Sequence, residues 1–130
     1  FPLHQDENLT ELLKKHIRNY MDDSMIAQGT HGFASGDMGD ISMMWPTVEI
    51  GTAGFSGTIH GKDFKTADPV QAFEIPARYL AEAIEELLSD GGAAAWRIKE
   101  AFRPVMSKTD YLEKLDSLNK STNFIYSKGE

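Results

Sequence analysis

The stretch GTHGFASGDMGDISMMWPTVEIGTAGFSGTIHGKDFK, from Gly29 to Lys65, decides how the chain is read. Its first part, Gly29 to Asp40, packs four glycines into twelve residues and reads as a closely approached backbone turn rather than a regular element. Asp37 stands where a carboxylate can cap a short helix running to Trp45, and Pro46 stops that helix. Thr47-Val48-Glu49-Ile50-Gly51 then alternates as a short strand does. A second glycine-rich loop follows from Gly51 to Lys65 and carries Phe55, His60 and Phe64. Two such loops flanking one strand are where an α/β protein commonly places its chemistry.

Outward from this centre the chain is helical. Leu9, Leu12, Leu13, Ile17, Tyr20 and Met21 recur at spacings of three and four, which predicts a helix from Leu9 to about Asp23. Asn8 with Glu11 three residues later fits a capping box for it. Met25 to Gln28 reads as a short strand leading into the first glycine loop. On the other side, Tyr79, Leu80, Ala83, Ile84, Leu87 and Leu88 share one face of a helix predicted from Pro76 to Asp90, with Gly91-Gly92 as its stop. A second helix is expected from Ala94 to Arg103, ended by Pro104, and a third from Lys108 to Leu118 with Ser107 as cap. The last ten residues read as a loose tail.

Composition narrows the function classes. The chain has 130 residues, enough for one domain with a genuine core. A formal charge of −7 with dispersed Lys and Arg argues against nucleic acid and against anionic membranes. No apolar run approaches the roughly 18 residues that span a bilayer. There is no cysteine, so any metal bound here must use His, Asp or Glu. These features fit a cytoplasmic protein. The opening Phe1-Pro2-Leu3 carries no initiator Met and reads as a cut inside a longer polypeptide; a processed or tag-cleaved protein has the same appearance.

Among individual residues, His60 in Gly57-Thr58-Ile59-His60-Gly61 sits on a loop just past the expected strand, where an imidazole can reach an open site and a metal. From spacing alone a surface loop histidine is the favoured reading. Asp37 can orient a ligand or a metal-bound histidine, or be a plain N-cap. His31 lies in the first glycine loop, where it either approaches the site or orders the loop. His4-Gln5-Asp6 has the spacing of a metal motif, and Glu85-Glu86 that of a base-plus-ligand pair. The first has no strand before it, and the second lies on the solvated flank of an amphipathic helix, so both read as structural. His16 reads as a surface residue in mid-helix. No Gly-x-Ser-x-Gly elbow and no phosphate loop occur.

The run Ala34-Ser35-Gly36-Asp37-Met38-Gly39-Asp40-Ile41-Ser42, then Trp45-Pro46-Thr47, then Gly57-Thr58-Ile59-His60 resembles the zinc-dependent aminoacylase and carboxypeptidase family, most closely its aminobenzoyl-glutamate hydrolase-like amidohydrolase branch. The similarity spans about residues 1–92. Phe1-Pro2-Leu3 and the helix after it resemble the return from the family's lid domain to its catalytic domain, and Pro76 to Ala81 resembles the closing helix. The order and spacing of the pieces are more specific than any one of them.

The resemblance implies a partial zinc-exopeptidase-like α/β catalytic domain over 1–92, a small sheet packed by helices, then a helical extension over 93–120 and a flexible tail over 121–130. It implies a metal-dependent hydrolase of N-acyl amino acids or small peptides, using zinc or a similar divalent ion. Metal-bound water is a competent nucleophile near neutral pH in such sites. His60 is carried over as a metal ligand, Asp37 as a supporting acid, and Ser35 and Gly36 as substrate-binding positions. The family's His-x-Asp and Glu-Glu ligands do not map onto the chain, so they are expected in a preceding part of the same protein. The isolated chain is then expected to be metal-free and inactive, because catalytic zinc needs three protein ligands. It is also expected to form a homodimer over an exposed sheet edge and apolar face. The alternative is a non-enzymatic binding or oligomerisation module that docks a partner through its Leu80–Leu88 and Tyr111–Leu118 faces.

Overall fold

Asp6 fixes where the first helix begins. In the computed structural model, which describes residues 1–26 and 36–122, its carboxylate accepts the Leu9 N–H at 2.8 Å and caps α1, Glu7–Ile17. The Asp6 N–H in turn donates to the Thr47 carbonyl at 2.8 Å, pinning the cap to the centre of the chain. The cap is therefore Asp6 and not Asn8, which lies inside the helix. Glu11 does not close a capping box; it pairs with Lys14 at 2.8 Å.

Two short elements follow α1. Asp23–Met25 forms one 3-10 turn where a strand was expected to start, and Ala27 and Gln28 lie outside the described residues. The helix α2, Asp37–Ser42, is shorter than the predicted run to Trp45. Its N-cap is Gly36, which has no side chain to offer, so Asp37 is its first residue rather than its cap. Gly39 allows the chain start to lie against α2, since a Cβ there would come within 1.8 Å of the Phe1 carbonyl oxygen. Ser42 is fully buried, accepts the His4 N–H at 2.9 Å and donates to the Gly39 carbonyl at 2.6 Å.

The predicted strand over 47–51 has no ladder partner among the described residues. The sheet lies one step later. β1, Phe55–Ser56, pairs antiparallel with β2, Lys65–Thr66, with Phe55 opposite Thr66 and Ser56 opposite Lys65. The mixture of helices with a small sheet holds, but helices dominate and the described sheet is one two-stranded hairpin.

After the hairpin, Asp68 Oδ1 accepts from the N–H groups of Val70 and Gln71 and starts a π turn, Val70–Glu74. This turn feeds α3, Ile75–Ala101. The expected interruption is present inside α3: Ser89, Asp90, Gly91 and Gly92 leave helical geometry, and the last three have positive φ. α4, Lys108–Leu118, starts with the capping box predicted at Ser107, completed by Asp110. Tyr111 of α4 donates to Asp40 at 3.1 Å and its ring lies 5.6 Å from that of Phe1, which joins α4 to α2 and the chain start. No helix among the described residues is long and apolar enough to cross a membrane.

The core lies between α1 and α3. Leu13 and Ile17 meet Tyr79 and Ala83, and Val48, Ile50 and Ile75 pack around them. Each buried Leu or Ile side chain contributes about 1.5–3 kcal/mol through removal of apolar surface from water.

Candidate functional site

His60 stands in the turn of the β1–β2 hairpin, and the loop is shaped by short-range contacts. Gly57 has φ +94°, and a Cβ there would lie 2.3 Å from the Asp63 carbonyl oxygen, so only glycine fits. Asp63 accepts the Thr58 N–H at 3.2 Å, the Gly61 N–H donates to Thr58 at 2.7 Å, and the Phe64 N–H donates to Gly61 at 3.2 Å. Phe55 stacks on Phe64 at 5.3 Å and meets the Phe73 ring edge-on at 5.8 Å, seating the hairpin on the turn before α3. Gly54, at φ +87°, lets the hairpin base approach Ala72, and its carbonyl accepts the N–H groups of Ala67 and Asp68.

Within this frame His60 itself has φ 64°. A left-handed backbone costs a non-glycine residue roughly 1–2 kcal/mol, and His60 is exposed to solvent. The imidazole is presented rather than stored.

The other candidates are placed as follows. Gly36 and Asp37 are exposed at the start of α2. No hydrogen bond, ion pair or shared cavity joins either of them to His60 among the described residues. Ser35 and His31 lie outside the described residues. His4 is tied through its backbone to Ser42, and Glu85 is exposed.

His16 is a correction. Its side chain is only 12% exposed and is held in the α1–α3 seam, with Nε2 2.7 Å from Glu86 and Nδ1 3.3 Å from Glu82. Glu86, read as solvated flank, is half-buried there and also pairs with Lys15 at 2.6 Å. The Tyr20 hydroxyl donates to Glu82, and the Asn19 amide does so at 3.0 Å. Hydrogen bonds from Tyr20 and Asn19 hold the Glu82 carboxyl below the usual glutamate range, and Lys15, then His16, do the same for Glu86. The sequence signal was the Glu82 and Glu86 pair one turn apart, but its meaning depends on which helix packs beside it.

This cluster is not a metal centre. The two carboxylates face opposite nitrogens of one ring, and ring lone pairs diverge, so the three groups share no point for an ion. Among the described residues, no three His, Asp or Glu side chains are grouped to hold a metal. His60 supplies one donor, short of a complete protein site.

A cleft of about 1010 Å³ opens on the other side of the seam, between α1, residues 48–53 and the start of α3. Its walls include Ile17, Tyr20, Ile26 and Tyr79, and burial pushes the Tyr79 phenol up from its ordinary range. Neither a family model, nor a curated protein, nor a solved structure matches the chain, so the candidate site rests on its own geometry.

Proposed function

We propose that the chain is the C-terminal part of a metal-dependent amidohydrolase or exopeptidase, of the aminoacylase and carboxypeptidase kind, to which it contributes His60 as one metal ligand. What supports this reading is the resemblance of Ala34–Ser42, Trp45–Thr47 and Gly57–His60 to that family, with His60 exposed on a hairpin turn at positive φ. Strain held at an exposed residue fits a role for its side chain. Among the described residues no group completes a zinc or similar site, so on this reading further donors come from elsewhere in the same protein. Gly36, Asp37 and Ser35 belong to the reading only through the sequence resemblance. The substrate class is a small N-acyl amino acid or peptide, and the compartment is the cytoplasm, where a cysteine-free chain needs no disulfides.

The experiment is to express the complete reading frame with zinc and assay hydrolysis of N-acyl amino acids. The upstream region is expected to carry a His-x-Asp and a Glu-Glu pair. His60→Ala is expected to lower activity at least about a hundredfold while leaving the fold intact, because a lost ligand removes the Lewis acid. Full activity in that variant overturns the reading, as does a start codon directly before Phe1.

A second reading is a docking module without catalysis. It is favoured by the solvent exposure of Ile84, Leu88, Leu112 and Leu118, at 53%, 71%, 49% and 60%. Such residues form faces that soluble chains ordinarily cover. A homodimer through these faces, measured by sedimentation, supports it only if charged substitutions at Leu88 and Leu118 give a monomer.

A further inference from the structure

Residues 48–53 have the side-chain order of a strand with no strand beside them. Val48 and Ile50 pack on the core cluster, while Glu49 between them is exposed. The Glu49 N–H donates to Gln5 Oε1 at 3.3 Å, and from Ile50 to Ala53 the main chain has no hydrogen-bond partner among the described residues. Gly51, Thr52 and Ala53 are exposed, so this row of donors and acceptors is open to another chain. Such an open edge is a template for strand addition.

The surroundings say what fits. Below the row lies the cleft lined by Ile17, Tyr20, Met21, Ile26, Ile75 and Tyr79, which suits alternating apolar side chains. The charged residues of its wall are Glu7, Glu11, Glu49 and Lys14, and Lys14 is paired with Glu11, so the rim is acidic. An occupant with Lys or Arg at its ends complements that rim. A compact small molecule would fill the cleft and leave the peptide row unpaired.

We propose that Val48–Ala53 is the receiving edge for an extended polypeptide strand from a partner segment, rich in β-branched residues and flanked by basic ones. The strand hydrogen-bonds to the row and lays alternate side chains over the partly exposed Tyr20, Met21 and Ile26. This inference does not use the metal reading, and zinc-dependent activity is measured separately, so either can fail without the other.

The test titrates the intact, isotope-labelled chain with the nonapeptide Lys-Lys-Val-Thr-Val-Thr-Val-Lys-Lys and follows backbone amide resonances. Two further copies are N-methylated on one or the other alternate set of amides, and a fourth replaces the lysines by glutamates. Shifts are expected to concentrate at Val48–Ala53 and the Tyr20, Met21 and Ile26 wall. One methylated copy is expected to bind at least about tenfold more weakly and the other nearly as well as the parent, because a paired strand uses alternate amides. The glutamate-flanked copy is expected to be weaker than the parent at low salt. Absence of binding, equal binding by both methylated copies, or shifts centred elsewhere overturns the proposal. Self-association of the free chain that protects the same amides overturns it in favour of a second copy.

Discussion

Between α1 and α3, residues distant in sequence meet: Leu13 and Ile17 pack on Tyr79 and Ala83, and His16 reaches Glu82 and Glu86 beside them. In the hairpin, by contrast, the contacts that shape the loop are local: Gly57 against Asp63, Asp63 to Thr58, Phe55 on Phe64. The first region holds buried apolar surface, and the second holds an exposed imidazole in a backbone conformation that works against stability. The contrast teaches that what keeps the chain folded and what can do chemistry occupy separate residues. Substitutions should therefore affect one without the other.

The hardest blow to the seam is Tyr79→Ala, at 2% exposure. Removing a buried aromatic ring costs about 3–5 kcal/mol, a large share of the stability of a domain. Urea denaturation is expected to show that loss, whereas His60→Ala is expected to leave the midpoint nearly unchanged. Equal destabilisation by both would erase the distinction between the regions.

Gly57→Ala comes next and acts on the hairpin. The new Cβ meets the Asp63 carbonyl at a site with φ +94°, and the left-handed strain alone costs roughly 1–2 kcal/mol. Hydrogen exchange is expected to speed up from Phe55 to Thr66 while the amides of α1 and α3 keep their protection. Loss of protection across the seam would mean that the hairpin is part of the core.

A smaller effect is expected from pH. The carboxyls of Glu82 and Glu86 sit below their ordinary value of 4.5 when folded. They bind fewer protons folded than unfolded, so their stabilisation is present above that value and is lost as pH falls through the folded pKa. Glu82→Gln with Glu86→Gln is expected to flatten the acid limb of a stability–pH curve measured by urea denaturation. An unchanged acid limb in the double variant would remove these carboxylates from the seam's energetics.

The smallest effect is His60→Gly. Relief of a left-handed conformation stabilises, against the larger freedom of unfolded glycine, for a net change of about 1 kcal/mol or less. A raised urea midpoint would sharpen the view that this position gives up stability for a side chain.

Much of the helical order was legible because its signals are local. The stripe of Leu13 and Ile17, the stop at Gly91-Gly92 and the cap at Ser107 all appear in the structure where spacing and turn chemistry put them. The start of α1 moved from Asn8 to Asp6 because a tertiary bond to Thr47 holds the Asp6 backbone in place. The strand over 47–51 was read from alternation, and alternation describes side chains, whereas a ladder needs a neighbour. The hairpin was read as a loop because its strands are two residues each. Of the candidate site, the exposure of His60 on a glycine-flanked turn was readable. The role of His16 was not, since no helical pattern says which helix will lie against it.

The interruption inside α3 has a consequence of its own. Three successive left-handed residues, Asp90, Gly91 and Gly92, divide one long rod into two rigid pieces joined by exposed backbone. Extra chain inserted at that corner lengthens a connection that is already irregular, and loop-closure entropy grows only slowly with length. The Gly91–Gly92 bond is thus the natural port for grafting a fluorescent reporter or an affinity tag.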